Sequence, residues 1–483
     1  MTDSRSTSAP GPGSAGPLLE ARSVDYVPPH ERYGSAKSLF TLWFGGTAMG
    51  VTLLTGSLAA LTDLSLFWSV VAIIVGTLIG VVFVAYHSAQ GPVLGLPQMI
   101  QSRAQFGFFG ANLPLVVVIA MYLGFFGGGA ILAGQAAGEL FGMSAKAGIF
   151  VSGLISIVLV VFGYDVLHRV AKVLTPVFIV AFAVLTVALV ANWPGAGDRV
   201  VAENGFSATG FFFVLGIVAA YFITYGPYVA DYSRYLPEST SHAETFWYTY
   251  AGMALAGIWF MSLGAAIQIG YSRLPIVEAL AAAGDSAGGV LRFVVLLALL
   301  VGLINIGALN IYGAAMSGMT IATSFLSQVR PTKGLRMTFM LATGAVGTVG
   351  ASLLSGDLIV SYENFIFFLI AFLVPWSAIN LADFYVVARG EYDVKALFDP
   401  QGRYGLFNGP GVLAYVIGCA ALAPFVSTVY WSGPIAKELG FDISWLVGLV
   451  VPAALYIVIC RVWRSRPTVD ELIAPRVDAF DQA

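Results

Sequence analysis

Charge is what this chain has least of. Asp, Glu, Lys and Arg make up 10% of its 483 residues, against about 25% in a soluble domain. With 58% hydrophobic residues and a mean hydropathy of +0.85, such a chain reads as a polytopic membrane protein. The net charge of −3 argues against a nucleic-acid partner, which needs a basic surface. There are two cysteines, Cys419 and Cys460, both in apolar runs; they read as packing residues rather than a disulfide or metal pair. Four histidines, none in an HxxxH or HExxH spacing, leave no metal-enzyme signal, so neither metal nor cofactor is expected. A GxxxxGK[ST] loop for an ATP-driven pump is missing. So are an acidic DDxxD motif, a Ser/His/Asp set at membrane depth, and the ringed charges or repeated filter of a channel.

Long apolar runs are plentiful instead. Runs of about 20 residues, enough to cross a bilayer, fall near 38–61, 66–87, 113–138, 147–163, 170–191, 209–235, 245–270, 289–318, 335–354, 363–388, 411–430 and 443–463. They predict twelve spans in one all-α transmembrane domain over 36–463. Residues 1–35, rich in Ser, Gly and Pro, read as a disordered tail and lack the pattern of a signal peptide. Residues 464–483 read as a polar tail. Basic residues near membrane ends favour the cytoplasm. With the N-terminus inside, only Lys146, Arg199, Arg273, Arg292 and Lys437 of the 23 basic residues face out, which predicts both termini in the cytoplasm.

The sixth run holds the sharpest feature, Tyr221-Phe222-Ile223-Thr224-Tyr225-Gly226-Pro227. A Gly-Pro pair half way across a span removes an amide donor and frees carbonyls, which lipid cannot satisfy. The first run carries Gly45-Gly46 followed by Thr47, and a glycine pair weakens a helix; its other reading is close helix packing. Interrupted spans at matching places in two halves point to a transporter site. Because the two lie five spans apart, the halves must run in opposite senses. The expectation is a five-plus-five inverted repeat, with repeat one over about 38–191, repeat two over about 209–388, and two extra helices over about 411–463.

On the third run Tyr122, Phe125, Phe126 and Gly129 share a face, a stripe that ordinary packing also produces. Asn305 and Asn310 stand in the apolar eighth run. A side-chain amide there needs a partner, either a neighbouring helix or the contents of a cavity; Asn310 continues along a small-residue face through Gly313 and Ser317. Ionisable residues near the spans are few: Glu139, Asp165, Asp231, Glu363 and Asp383. Glu139 and Glu363 are expected at external, water-reached helix ends. Asp231 lies one turn before Arg234, as a local charge pair or as a gating or proton-carrying group, and Asp383 stands in the same way near Arg389.

Four motifs in order resemble the purine–cytosine permeases, the nucleobase:cation symporters. They are Val27-Pro28-Pro29-His30-Glu31-Arg32, Gly95-Leu96-Pro97 through Ser102-Arg103-Ala104-Gln105-Phe106-Gly107, Ala230-Asp231-Tyr232-Ser233-Arg234-Tyr235, and Ala382-Asp383-Phe384-Tyr385. The resemblance covers roughly 22–465 and implies a LeuT-like inverted-repeat fold that carries a nucleobase with a cation by alternating access. It implies that the base sits between Phe125 and Phe222, with Thr224 and Asn310 as polar partners. Gly46, Thr47 and Gly226 at the breaks would also contact the base, as would Tyr122, which stands where cytosine carriers have Gln. Asp231 and Asn305 would serve gating or coupling. Sodium-coupled relatives place paired hydroxyls where this chain has Ala308 and Leu309, which lack oxygen ligands, so a proton is the expected coupling ion. Allantoin, a hydantoin or a vitamin such as pyridoxine or thiamine remain alternative cargoes.

Overall fold

The computed structural model describes residues 25–162, 164–195, 200–325, 332–428 and 431–463; side chains are described outside 162–174 and 463. Tail residues 1–24 and 464–483, Arg199 and Arg330, and the side chain of Asp165 lie outside what it describes. Among the described residues, eight helices are long and apolar enough to cross a membrane, a bent pair makes a ninth, and three shorter apolar helices stand at the fourth, fifth and eleventh of the twelve expected runs. Their starts follow local chemistry. Ser65, Ser207, Thr332 and Asp357 each accept a hydrogen bond from a backbone N–H three residues on, satisfying a donor the helix leaves unpaired. Gly95 and Gly142 close the second and third spans in the left-handed region, where glycine carries no steric penalty.

Two spans are broken. The first runs as Lys37–Thr47 and Gly50–Ser57, with a 60° bend between its halves. Ala48 leaves helical geometry at ψ 78 and Met49 is extended at φ −146. The interruption expected at Gly45-Gly46 therefore falls two residues later. Gly45 stays helical and faces the fifth span, where a Cβ would lie 3.3 Å from Thr175 Cγ2. The sixth span runs as Ala208–Ile223 and Gly226–Ser233, separated by Thr224 and Tyr225. Here too the expected position shifts, because Pro227 lies in the first turn of the second half, where its missing N–H costs nothing.

Packing sorts the spans into two groups of four. The first, second, sixth and seventh pack together, and so do the third, fourth, eighth and ninth. Each group takes two spans from one half and the equivalent two, five later, from the other, as an inverted repeat requires. The first and seventh approach closely: a Cβ on Gly56 would strike the Met261 carbonyl, and one on Gly264 the Leu53 carbonyl.

Within the stretch expected as a disordered tail over 1–35, the described part from residue 25 on is anchored at Val27 and Arg32. Val27 is fully buried and its N–H donates to Gly95 O. Arg32 donates to Val27 O and, at 2.6 Å, to Pro92 O, tying the segment to the end of the second span.

Candidate functional site

Where the broken spans meet the third and tenth, aromatic rings converge. Phe125 stands edge-on to Tyr221 at 5.9 Å and to Phe365 of the tenth span, Leu358–Ala382, at 5.2 Å. Tyr122 lies 5.6 Å from Tyr228, which lies 5.4 Å from Tyr225. Trp43, from the first half of the first span, contacts Tyr225 at 6.3 Å and Tyr228 at 6.4 Å. Gly313 opposite is bare because the Tyr122 ring fills the space a Cβ would take.

Hydroxyls line the same region. Thr52 donates to Thr47 O at 2.6 Å, across the break of the first span, and its oxygen is 2.8 Å from Tyr221 OH. Tyr221 OH is in turn 2.7 Å from Tyr225 OH, and Thr55 bonds Tyr362 OH at 2.8 Å. This chain of neutral donor-acceptors suits the edge of a polar heterocycle, and the ring faces suit its plane.

Several expected residues gather here and others do not. Tyr122 and Phe125 belong to the cage. Gly46 is open toward it, with nothing nearer to a Cβ than Trp43 at 3.9 Å. Thr47 is buried and its Oγ1 has no hydrogen-bond partner. Asn310 is half-buried and its side chain makes no hydrogen bond among the described residues. Asn305 Oδ1 is buried and unpartnered.

Phe222 departs from the expected pair. Its ring reaches Gly257 of the seventh span, and its ring neighbours are Tyr221 and Tyr225. The residue in ring contact with Phe125 is Tyr221, one position earlier. The absent side chain at 257 is the reason, since it leaves a hollow that the Phe222 ring fills. Thr224 is fully buried and donates to Tyr221 O at 2.6 Å, closing the turn at the break. Gly226 faces away from the cage, against His87 and Trp376, which a Cβ would approach to 3.0 and 3.2 Å.

Two of the carboxylates, Asp383 and Glu363, differ from expectation. Asp231 Oδ1 accepts the Gln98 backbone N–H at 2.7 Å, while Arg234 Nε donates to the Asp231 carbonyl at 3.2 Å. Asp383 is fully buried and accepts from Gln105, Tyr392 and Tyr456 at 2.7, 2.6 and 2.9 Å; Arg389 is exposed and forms no ion pair with it among the described residues. The π-turn at Asp383–Val387 displaces the register that would bring the two together. Glu139 meets Arg292 at 2.6 Å, but Glu363 is only 7% exposed and does not stand at a water-reached end. Ala308 is fully buried and Leu309 partly so, and neither brings a side-chain oxygen. Tyr221, Tyr225, Tyr228 and Thr52 were missed by sequence reasoning, although all four lie beside the two breaks.

A profile of the family described as "Permease for cytosine/purines, uracil, thiamine, allantoin" matches residues 26–448. The chain belongs to this family. The permease is 41% identical over 454 residues to the "Putative purine-cytosine permease YxlA" of Bacillus subtilis (strain 168), covering 92% of this chain and 96% of that one. It is 27% identical over 429 residues to the "Allantoin permease" of the same organism, covering 82% and 84%. Its fold is similar to that of Mhp1, a nucleobase-cation-symport-1 family transporter, closed with bromovinylhydantoin bound. That match has a TM-score of 0.72 and 18% identity, covering 94% of this chain and 99% of that one. The permease therefore has the Mhp1 fold, is a multi-pass membrane protein, and is a transporter of the cytosine/purine, uracil, thiamine and allantoin permease family, not an enzyme.

Proposed function

We infer that the permease imports a nucleobase, a purine or cytosine-like planar heterocycle, by secondary active transport with a proton, its two termini in the cytoplasm. The observation that carries this reading is the cage of aromatic rings and neutral hydroxyls at the meeting point of the two broken spans. Ring faces from Phe125 and the sixth-span tyrosines would hold the base. Tyr122, Gly46, Thr47 and Asn310 stand where its edge would be matched, and rearrangement about the two breaks would open the site to one side and then the other. The proton follows from Ala308 and Leu309, since a hard cation needs oxygen ligands that these side chains do not provide.

The deciding experiment is uptake of labelled cytosine, adenine, guanine, hypoxanthine, uracil and allantoin into proteoliposomes, with a proton or a sodium gradient imposed separately. Uptake of a base under the proton gradient is the expected result. The allantoin arm separates the second reading, which the allantoin permease relative favours and which the same uncharged cage would fit. Accumulation driven by sodium alone would remove the proton.

A further inference from the structure

The second span, Leu66–Leu94, meets the tenth along a seam with two unlike sides. The buried side is polar. His87 Nε2 lies 2.8 Å from Ser377 Oγ, and Gln90 donates to Asn380 Oδ1 at 3.0 Å. Asn380 donates in turn to Gln105 Oε1 at 3.3 Å, and Gln105 to Asp383 at 2.7 Å. The other side is apolar. There the twelfth span, Ser444–Trp463, joins the second and tenth, and a groove of about 440 Å³ opens between the three.

The groove runs along the helices. Leu449, Ala453 and Ile457 line it one turn apart, as do Ala378 and Ala382, with Phe83 on the flank of the second span. The step from Leu449 to Ile457 rises about 12 Å, so the hollow left by the alanines is long and narrow. Aromatic rings mark one end. Tyr385 OH donates to Tyr86 O at 2.8 Å with the two rings 5.2 Å apart. Tyr86 also stands 4.9 Å from Phe246, whose neighbour Trp247 is 61% exposed. Rings with polar tips gather where hydrocarbon meets headgroups, so this end of the groove reaches the membrane surface.

Two guanidinium groups stand at that end. A Cβ on Gly448 would lie 3.1 Å from Val374 Cγ1, and Tyr456 OH donates to Asp383 at 2.9 Å. The tenth and twelfth spans therefore run the same way, with 456 near the level of 383. Arg461 and Arg389, a turn or so further along each, come out at similar depth. Both side chains are exposed, and neither makes a hydrogen bond or an ion pair among the described residues. Glu391, two residues past Arg389, forms no ion pair with it either. A guanidinium is weakly hydrated and matches phosphate oxygens with two parallel N–H donors, and basic pockets between spans suit anionic headgroups.

We propose that this groove is a binding site for an anionic phospholipid, with one acyl chain between the second, tenth and twelfth spans and the phosphate on Arg389 and Arg461. The site is separate from the aromatic cage, and the proposal holds whatever cargo or ion the permease carries. The test uses the full chain, delipidated in detergent, titrated with phosphatidylglycerol or with phosphatidylcholine of the same acyl chains. Native mass spectrometry counts bound lipid, and thermal unfolding reads the stabilisation that binding brings. Wild type is expected to bind phosphatidylglycerol at least about tenfold more tightly than phosphatidylcholine. The double variant Arg389→Gln, Arg461→Gln should bring the two within about twofold, with the unfolding temperature of the lipid-free protein unchanged, since neither side chain has a protein partner to lose. Ala453→Phe fills the groove and should weaken both lipids. Equal affinities in wild type, or a preference that survives loss of both arginines, would overturn the proposal. A dimer that Ala453→Phe dissociates, with no lipid retained by wild type, would give the groove to a second copy of the chain instead.

Discussion

Tyr221 and Phe222 are adjacent in sequence yet serve different surfaces. The first closes on Phe125 and joins the hydroxyl chain; the second fills the hollow over Gly257. Tyr221→Phe keeps the ring and deletes one buried hydroxyl, and should lower stability by about 1 kcal/mol and weaken base binding roughly fivefold. Thermal unfolding and equilibrium binding on purified protein would read the two effects. Phe125→Ala should weaken binding more than about tenfold, because it removes a ring that nothing replaces, whereas Phe222→Leu should stay within about threefold. The reverse ordering would return the stacking role to Phe222. Asn310→Ala should abolish uptake at normal surface expression with stability changed by no more than about 0.5 kcal/mol, since its amide has no protein partner to lose. Normal uptake by that variant would assign Asn310 to packing.

Among whole helices, glycine sets how closely the first and seventh spans approach. Gly264→Ala places a methyl group against the Leu53 carbonyl, and backbone cannot yield as a side chain can. Overpacking of this kind costs about 1–3 kcal/mol or more, so the variant should unfold at clearly lower temperature in detergent. Gly129→Ala, whose Cβ would meet Leu303 Cδ2 at 3.6 Å, is ordinary contact and should be neutral by the same measurement. Equal losses in both would mean that the glycines act through helix propensity rather than through close approach.

For the molecule as a whole, the placement of basic residues predicts both termini in the cytoplasm. Reporter domains fused to either terminus should both be active only on the cytoplasmic side; an external signal from either would reverse the assignment. Arg292 at the start of the eighth span joins Glu139 at the end of the third and Asp285 of the short helix Ile276–Asp285, at 2.6 and 3.0 Å. These exposed pairs contribute at most about 1 kcal/mol each. Their place is where the third and eighth spans would part if the site opened to that side.

Hydropathy alone marked where the apolar helices fall, because a bilayer demands long apolar runs whatever the tertiary contacts. Glycine and proline alone determined that the first and sixth would break. Only the tertiary structure decided where each break falls and which face of the sixth span meets the third. Those depend on what lies opposite: Thr175 against Gly45, Gly257 beneath Phe222, His87 and Trp376 over Gly226. The buried chain from His87 to Asp383 was equally hidden, since it joins residues up to 290 positions apart. No local pattern marks a glutamine whose partners lie on another helix, so hydrogen bonding across helices was decided by the fold.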